Sequence, residues 1–482
     1  MSKSIAKNWA YNVALQIVNL LLPIITVPYV SRALGTDGVG TNSFTLATTQ
    51  YFILIGTLGI SMYGNRQIAY CRDNKEKMSR TFWSIYFLNL ITTSIALVIY
   101  LIIFGTNKTY GYIYVIQSLN IVASIIDITW LYMGLEDFQK TVTRNMIVKI
   151  IGVLCIFIFV ENRGDLTKYV FINSIMMVLG NAVMWMYLPK TVDKIRVTGK
   201  DIVSHLRPTI ALFIPQIAIQ IYAVLDKTML GLLADTSQVG VYEQSQKIVK
   251  LVLALVTSLG TVMLPRMSNL FAKKDRKKMN EYLNKTLIII SFIAIPMTFG
   301  IAGISNEFTW FFGHGFEEVS ILMMILSPIL FLIAVSNVTG TQYLLPASRN
   351  TEFTLSVTAG AVVNVILNFM LISKYKAVGA CIATVVAELT VTFIQIVMIR
   401  DNIDFRKWLR FVIKFSLGSI IMFIIVRILG SMLNNKVTTT LIQCLVGTIV
   451  YFLFMIITKD ETTIRLICKI KDILLRKRRE DE

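Results

Sequence analysis

Residues 231–244 read GLLADTSQVGVYEQ, and residues 32–44 read RALGTDGVGTNSF. Each stretch closes one long apolar run and opens the next through a short turn bearing Gly and Asp. Val39-Gly40 and Val239-Gly240 lie 200 positions apart, and so do Arg66 and Arg266. Further along, RDNKEKM (72–78) is echoed by KKDRKKM (273–279). The chain therefore repeats itself, and the length of the repeat decides the fold.

Apolar runs between charged or Gly- and Pro-bearing breaks predict fourteen helices, at 9–31, 40–63, 81–104, 111–133, 145–160, 168–188, 209–233, 241–264, 286–304, 319–341, 353–373, 378–399, 409–429 and 438–458. Most are about 20 residues long, enough to cross a bilayer. One repeat holds six of them. Six is even, so both copies insert the same way round. Parallel repeats of this kind surround an axis along the membrane normal, with a substrate path between them and alternating access by rocking. The predicted class is an all-α polytopic membrane protein of two six-helix bundles plus two extra C-terminal helices. The expected divisions are a first bundle at 1–190, a linker at 191–208, a second bundle at 209–400, the added helices at 401–460 and a basic tail at 461–482.

Composition agrees. Of 482 residues, 55% are hydrophobic and only 16% charged, with a mean hydropathy of +0.66. The net charge of +19 raises nucleic-acid binding, but its distribution favours the excess of Lys and Arg on cytoplasmic loops. Arg66, Arg72, Lys75, Lys77 and Arg80 follow span two, Lys140 and Arg144 span four, Lys190 to Arg207 span six, and Arg266 to Lys285 span eight. The external loops at 234–240 and 303–319 have neither Lys nor Arg. Both termini are thus expected in the cytoplasm, in the cell (inner) membrane. Residues 1–30 have a basic start like a signal peptide, but the apolar part is too long and lacks a small-residue cleavage site, so it reads as a retained span. The five cysteines are scattered with no CxxC or Cys/His cluster, which gives no metal site and no disulfide framework. His205 and His314 stand alone in loops. No cofactor is implied.

Ionisable groups inside spans usually face the bundle interior or a water-filled cavity. Asp226 and Lys227 lie in an apolar run, and Glu243, Gln246, Lys247 and Lys250 share one face of span eight. A hairpin centred near 237–238 brings Asp226 level with Lys250, and by the same counting Asp127 comes level with Lys149. The bland alternative is that such pairs only lock helices, although desolvation offsets most of a buried pair's attraction. Glu388 is a candidate proton or cation site. Asn364 and Asn368 are open to simple helix–helix bonding, and Lys414 and Arg427 receive no role. The tail after Lys459, with Ile464, Ile467, Ile473 and Leu474 among its cations, suits anionic headgroups. No HExxH, GxSxG, Walker-type loop or DxD motif is present, so an enzyme is not expected and an ATP-driven pump would need a domain that this chain lacks.

Several stretches carry a resemblance: SRALGTDGVG (31–40), DITWLYMGLEDFQK (127–140), LDKTMLGLLADTSQVGVYEQSQKI (225–248), GTQYLLPASRNTEF (340–353) and VGACIATVVAE (378–388). In order and spacing they resemble the bacterial polysaccharide-repeat (Wzx-type) flippases of the multidrug/oligosaccharidyl-lipid/polysaccharide exporter superfamily, over roughly residues 5–460. The resemblance implies transfer of an undecaprenyl-diphosphate-linked oligosaccharide from inner to outer leaflet for O-antigen or capsule synthesis. It leaves open H+ or Na+ as coupling ion, and a polysaccharide polymerase and glycosyltransferases as partners. Candidate cargo-binding residues are Arg66, Arg266, Lys247, Lys250 and Lys149. Candidate coupling residues are Asp226, Asp127, Lys227 and Glu388. Competing readings are a cation-coupled drug or metabolite exporter on the same fold, a lipid II flippase, and a membrane polymerase or ligase, which would need a larger external loop.

Overall fold

A computed structural model describes residues 3–273, 275–434 and 436–460. Two sequence expectations, the basic loop at Lys274 and the tail at 461–482, lie outside them. The described residues are helical with no strand. In chain order the helices are α1 (Lys3–Thr57), α2 (Ile60–Cys71), α3 (Lys75–Phe104), α4 (Gly111–Ile125), α5 (Thr129–Gly134), α6 (Phe138–Phe159), α7 (Leu166–Trp185), the short α8 (Leu188–Thr191) and α9 (Gly199–Ser204), α10 (Leu206–Leu233), α11 (Thr236–Ala272), α12 (Arg276–Ile304), α13 (Val319–Leu326), α14 (Ile329–Ser336), α15 (Asn350–Met398), α16 (Phe405–Met432) and α17 (Lys436–Ile457).

Ten helical segments among the described residues are long and apolar enough to cross a membrane. Two of these are double. α1 breaks at Gly35 (φ 68°), a left-handed turn that only glycine adopts without strain, and α15 breaks at Lys376 (φ 46°). Dividing these two and adding α10 and α11 gives the fourteen spans where the sequence placed them. The starts follow capping rules: Asn74 caps α3, Asp275 caps α12 and Asp404 caps α16, each accepting a backbone N–H three residues on. Such a cap satisfies a donor that the helix itself leaves free.

Apolar side chains face outward as well as inward, and polar ones are buried among them. Large apolar side chains such as Phe393 (63% exposed) and Ile457 (77%) point outward, whereas Asn89, Gln117, Asn364 and Asn368 are buried. Lipid tails are as apolar as leucine, so helices here associate through packing and interior hydrogen bonds rather than through the hydrophobic effect.

The chain forms two compact units, Met1–Glu243 and Gln244–Glu482. The first holds α1 to α10 and the opening turns of α11, because α10 and its turn pack on α1. The sequence-derived bundles follow the repeat instead, and cut the chain near 190–208. Several helices reach into the expected basic loops: α6 begins at Phe138 and takes in Arg144, α3 begins at Lys75, α11 runs to Ala272 and takes in Arg266, and α12 begins at Arg276.

Candidate functional site

Only residues 234 and 235 separate α10 from α11. The Asp235 carboxylate accepts the Gln238 N–H at 2.9 Å, fixing the start of α11. The turn therefore falls at 234–235, three residues before the expected centre. Asp226 and Lys227 come level with Tyr242 and Glu243 as a result. Tyr242 Oη donates to the Asp226 carboxylate at 2.5 Å, and Lys227 Nζ lies 2.5 Å from Glu243 Oε2. Asp226 is 5% exposed and Tyr242 fully buried. An acid and a base adjacent in sequence are thus held by two successive residues of the next helix.

The two quoted stretches meet at the same end of the first unit. A Cβ on Gly40 would lie 1.6 Å from the Thr236 carbonyl oxygen, and one on Gly240 would lie 2.0 Å from the Thr36 carbonyl oxygen. Each repeat's glycine receives the other repeat's threonine carbonyl. Ser237 Oγ donates to Thr36 Oγ1 at 2.9 Å, and Thr236 Oγ1 donates to the Asp37 carboxylate. The repeat is thus a physical contact as well as a sequence pattern, and it needs glycine because any side chain would occupy the carbonyl's place.

On α11, Gln246 is buried, Lys247 half-buried and Lys250 exposed, with Lys250 Nζ donating to Gln246 at 2.7 Å. Pairing of Asp226 with Lys250 stays a proposal. The Asp127–Lys149 pair is not formed. α4 ends at Ile125, and Asp127 sits in the break before α5, where its carboxylate accepts the N–H (2.8 Å) and hydroxyl (2.7 Å) of Thr129. Counting along a continuous helix misplaced it. Lys149 is exposed on α6 and donates to Asn19 of α1. Glu388 is half-buried on the second arm of α15.

Arg66 and Arg266 are both exposed. The Arg66 guanidinium lies 6.0 Å from the Tyr63 ring, and the Tyr63 hydroxyl shares a 2.7 Å hydrogen bond with His205 Nδ1. Arg266 lies 4.2 Å over the Tyr282 ring and donates to its hydroxyl. Neither has a carboxylate partner among the described residues. Each cation is oriented by an aromatic ring yet keeps its charge uncompensated.

Sequence reading missed two features of the first unit. Asn42, Gln117, Asn120 and Ser174 form an uncharged hydrogen-bonded track, with Gln117 donating to Asn42 at 3.3 Å and Asn120 donating to Gln117 (2.7 Å) and Ser174 (2.9 Å). Arg144 donates to Asn145 and Asn181, its Nε lacks an acceptor, and Asp127 is within electrostatic reach. Gly180, whose absent Cβ would lie 3.5 Å from Arg144 Nε, leaves the guanidinium room. The signal was Gln117 and Asn120 three apart in an apolar run, and an arginine just ahead of another.

The second unit offers an apolar groove of about 390 Å³ along α12, α16 and α17, bordered by Phe292, Pro296, Met297, Met422 and Tyr451. Gly300 borders open space, since a Cβ there would meet nothing nearer than Met422 Cε at 3.9 Å, whereas a Cβ on Gly447 would lie 3.1 Å from Val426 Cγ2.

The family described as "Polysaccharide biosynthesis protein" matches residues 5–271. The chain belongs to this family. A second family description, "MatE", matches residues 211–370. The chain is 26% identical over 410 residues to a protein of Escherichia coli (strain K12) named "Putative O-antigen transporter", covering 83% of this chain and 97% of that one. It is 28% identical over 163 residues to "Lipid II flippase MurJ" of Bacillus subtilis (strain 168), 33% of this chain and 29% of that one. Its fold is similar to the solved structure "Lipid II flippase MurJ, inward closed conformation", with a TM-score of 0.77 over 94% of this chain and 99% of that chain at 17% identity. Members of the polysaccharide biosynthesis family are what the sequence motifs pointed to. The chain is a multi-pass membrane protein of the polysaccharide biosynthesis family.

Proposed function

We propose that this protein moves an undecaprenyl-diphosphate-linked oligosaccharide from the cytoplasmic to the outer leaflet by alternating access, for surface-polysaccharide synthesis. The apolar groove on α12, α16 and α17 carries the reading. A polyprenyl chain needs an apolar path at the protein's flank, and a small hydrophilic solute does not. The diphosphate needs cations with charge to spare, which Arg66 and Arg266 supply. Lys247, Lys250 and Lys149 are further contacts for the anionic cargo. Asp226, Lys227, Asp127 and Glu388 are the candidates for coupling to H+ or Na+, and a polymerase and glycosyltransferases are natural neighbours in the same synthesis.

Gly300→Leu tests the groove, because its Cβ enters open space and the rest of the side chain occupies the groove. Proteoliposomes holding this variant at normal level should flip a fluorescent lipid-linked oligosaccharide far more slowly than wild type. Equal rates would remove the groove from the mechanism. The MatE match over 211–370 favours a second reading, cation-coupled export of a small solute, which predicts drug efflux untouched by Gly300→Leu. Orientation, with both termini cytoplasmic in the inner membrane, is tested by impermeant thiol labelling. Cysteine at the exposed His314 should react from outside and cysteine at the exposed Lys277 should not; Thr236, buried at 7% exposure, would label poorly.

A further inference from the structure

A cavity of about 430 Å³ opens where α16 begins and α17 ends, and the ends of helices long and apolar enough to cross a bilayer fall near its interfaces. Five of its lining residues are cations and two are carboxylates, and both carboxylates are already committed. Asp460, fully buried, lies 3.2 Å from Lys414 Nζ, which also donates to the Thr458 carbonyl at 3.1 Å. Asp404 accepts the Lys407 N–H at 3.1 Å and closes the start of α16. That leaves Arg406, Lys407, Arg410 and Lys459 around one space, with no ion-pair partner among the described residues. All four are exposed, so solvent screens part of their mutual repulsion, and an anion among them would relieve the rest.

Two further observations indicate which anion. Lys459 has φ +48°, the left-handed position that usually ends a helix with glycine. Its N–H bonds to the Ile456 carbonyl and that of Asp460 to the Met455 carbonyl, at 3.0 and 2.9 Å. A lysine here bears backbone strain that glycine would not, while placing its charge at the cavity. Beside Arg406 and Arg410, the apolar Leu409 and Ile413 are 56% and 52% exposed. A free inorganic anion has no use for that apolar border; an acyl chain does.

We propose that this cavity binds the phosphodiester headgroup of an anionic phospholipid, with Arg406 and Arg410 as its forked donors and Lys459 as the opposing charge. Guanidinium groups match phosphate oxygens in a way an ammonium does not. The cavity shares no lining residue with the apolar groove on the same helices, and its test does not depend on what the protein transports.

Purified full-length protein, delipidated in detergent, is titrated with phosphatidylglycerol or phosphatidylcholine, and retained lipid is counted by native mass spectrometry. Phosphatidylglycerol should be retained preferentially, and Arg406→Gln or Arg410→Gln should each weaken retention about fivefold, the effect of one cation at a lipid surface. Lys459→Gly should weaken it similarly while leaving the lipid-free melting temperature unchanged or higher, an outcome that a purely structural lysine would not give. Equal retention of the two lipids would overturn the proposal, as would phosphatidylglycerol retention that survives all three substitutions. Displacement of the lipid by millimolar inorganic phosphate would overturn it too, by assigning the site to a free anion.

Discussion

The two copies of the repeat keep the same packing and differ in charge. Gly40 and Gly240 occupy equivalent places and receive equivalent carbonyls. Yet where the second copy has Asp226, Lys227 and Glu243, the first has Thr26, Val27 and Ser43. Thr26 satisfies itself on the Leu22 carbonyl at 3.0 Å, and Asn42, the counterpart of Tyr242, accepts from Gln117. A helix hairpin of this form thus stands without an ionised group at these three positions. The charges of the second copy are extra to the fold, which is the reason to look for their use in transport.

The largest expected effect comes from breaking what the copies share. Gly40→Ala or Gly240→Ala places a methyl on a carbonyl oxygen and should cost about 3 kcal/mol or more, as overpacking does. Folded yield and melting temperature should both fall. Gly199→Ala, whose Cβ would meet nothing within 4 Å, should change neither.

Next is the difference itself. Lys227→Val with Glu243→Ser gives the second copy the residues of the first. Folded yield should persist while flipping falls at least about tenfold, and either single substitution should lower yield more than the pair, because it strands a buried charge. A folded, fully active double variant would mean the ion pair serves neither role. Asp226→Asn with Lys250→Gln poses the same question of the proposed partners: direct coupling should appear as about 1 kcal/mol of non-additivity in flipping.

A smaller effect is expected at Arg66 and Arg266. Arg→Lys keeps the charge that sets topology and loses the fork. Losing one charge-assisted hydrogen bond to phosphate, about 1.5 kcal/mol, should slow flipping roughly tenfold. Normal surface polysaccharide from the double variant at normal protein level would leave both as topological anchors only.

The smallest effect distinguishes the surroundings of these arginines. Burial lowers the His205 imidazole below its ordinary value, against the opposing pull of Asp201. The folded state thus favours neutral His205, so its contribution is full above the unfolded value of about 6.5 and is lost as pH falls through that value toward the folded one. Acidification should lower the melting temperature of wild type slightly more than that of Tyr63→Phe, which lacks the hydroxyl bonded to His205. Identical pH profiles would show that this bond is insensitive to protonation.

The sequence by itself determined the number of spans, their repeat and the membrane setting. Those properties are written in single-residue hydropathy and in loop charge, which need no knowledge of neighbours. It also marked Asp226, Lys227 and Glu243 as interior, since hydrocarbon penalises such groups wherever they sit. Only the tertiary structure decided who meets whom. The Asp235 cap moved the hairpin turn by three residues and gave Asp226 a tyrosine, the break before α5 withdrew Asp127 from Lys149, and an early start to α6 carried Arg144 inside. Each outcome turns on one local hydrogen bond or helix end. A shift of even one residue turns a helical side chain by about 100°, so partner identity depends on details that periodicity averages away.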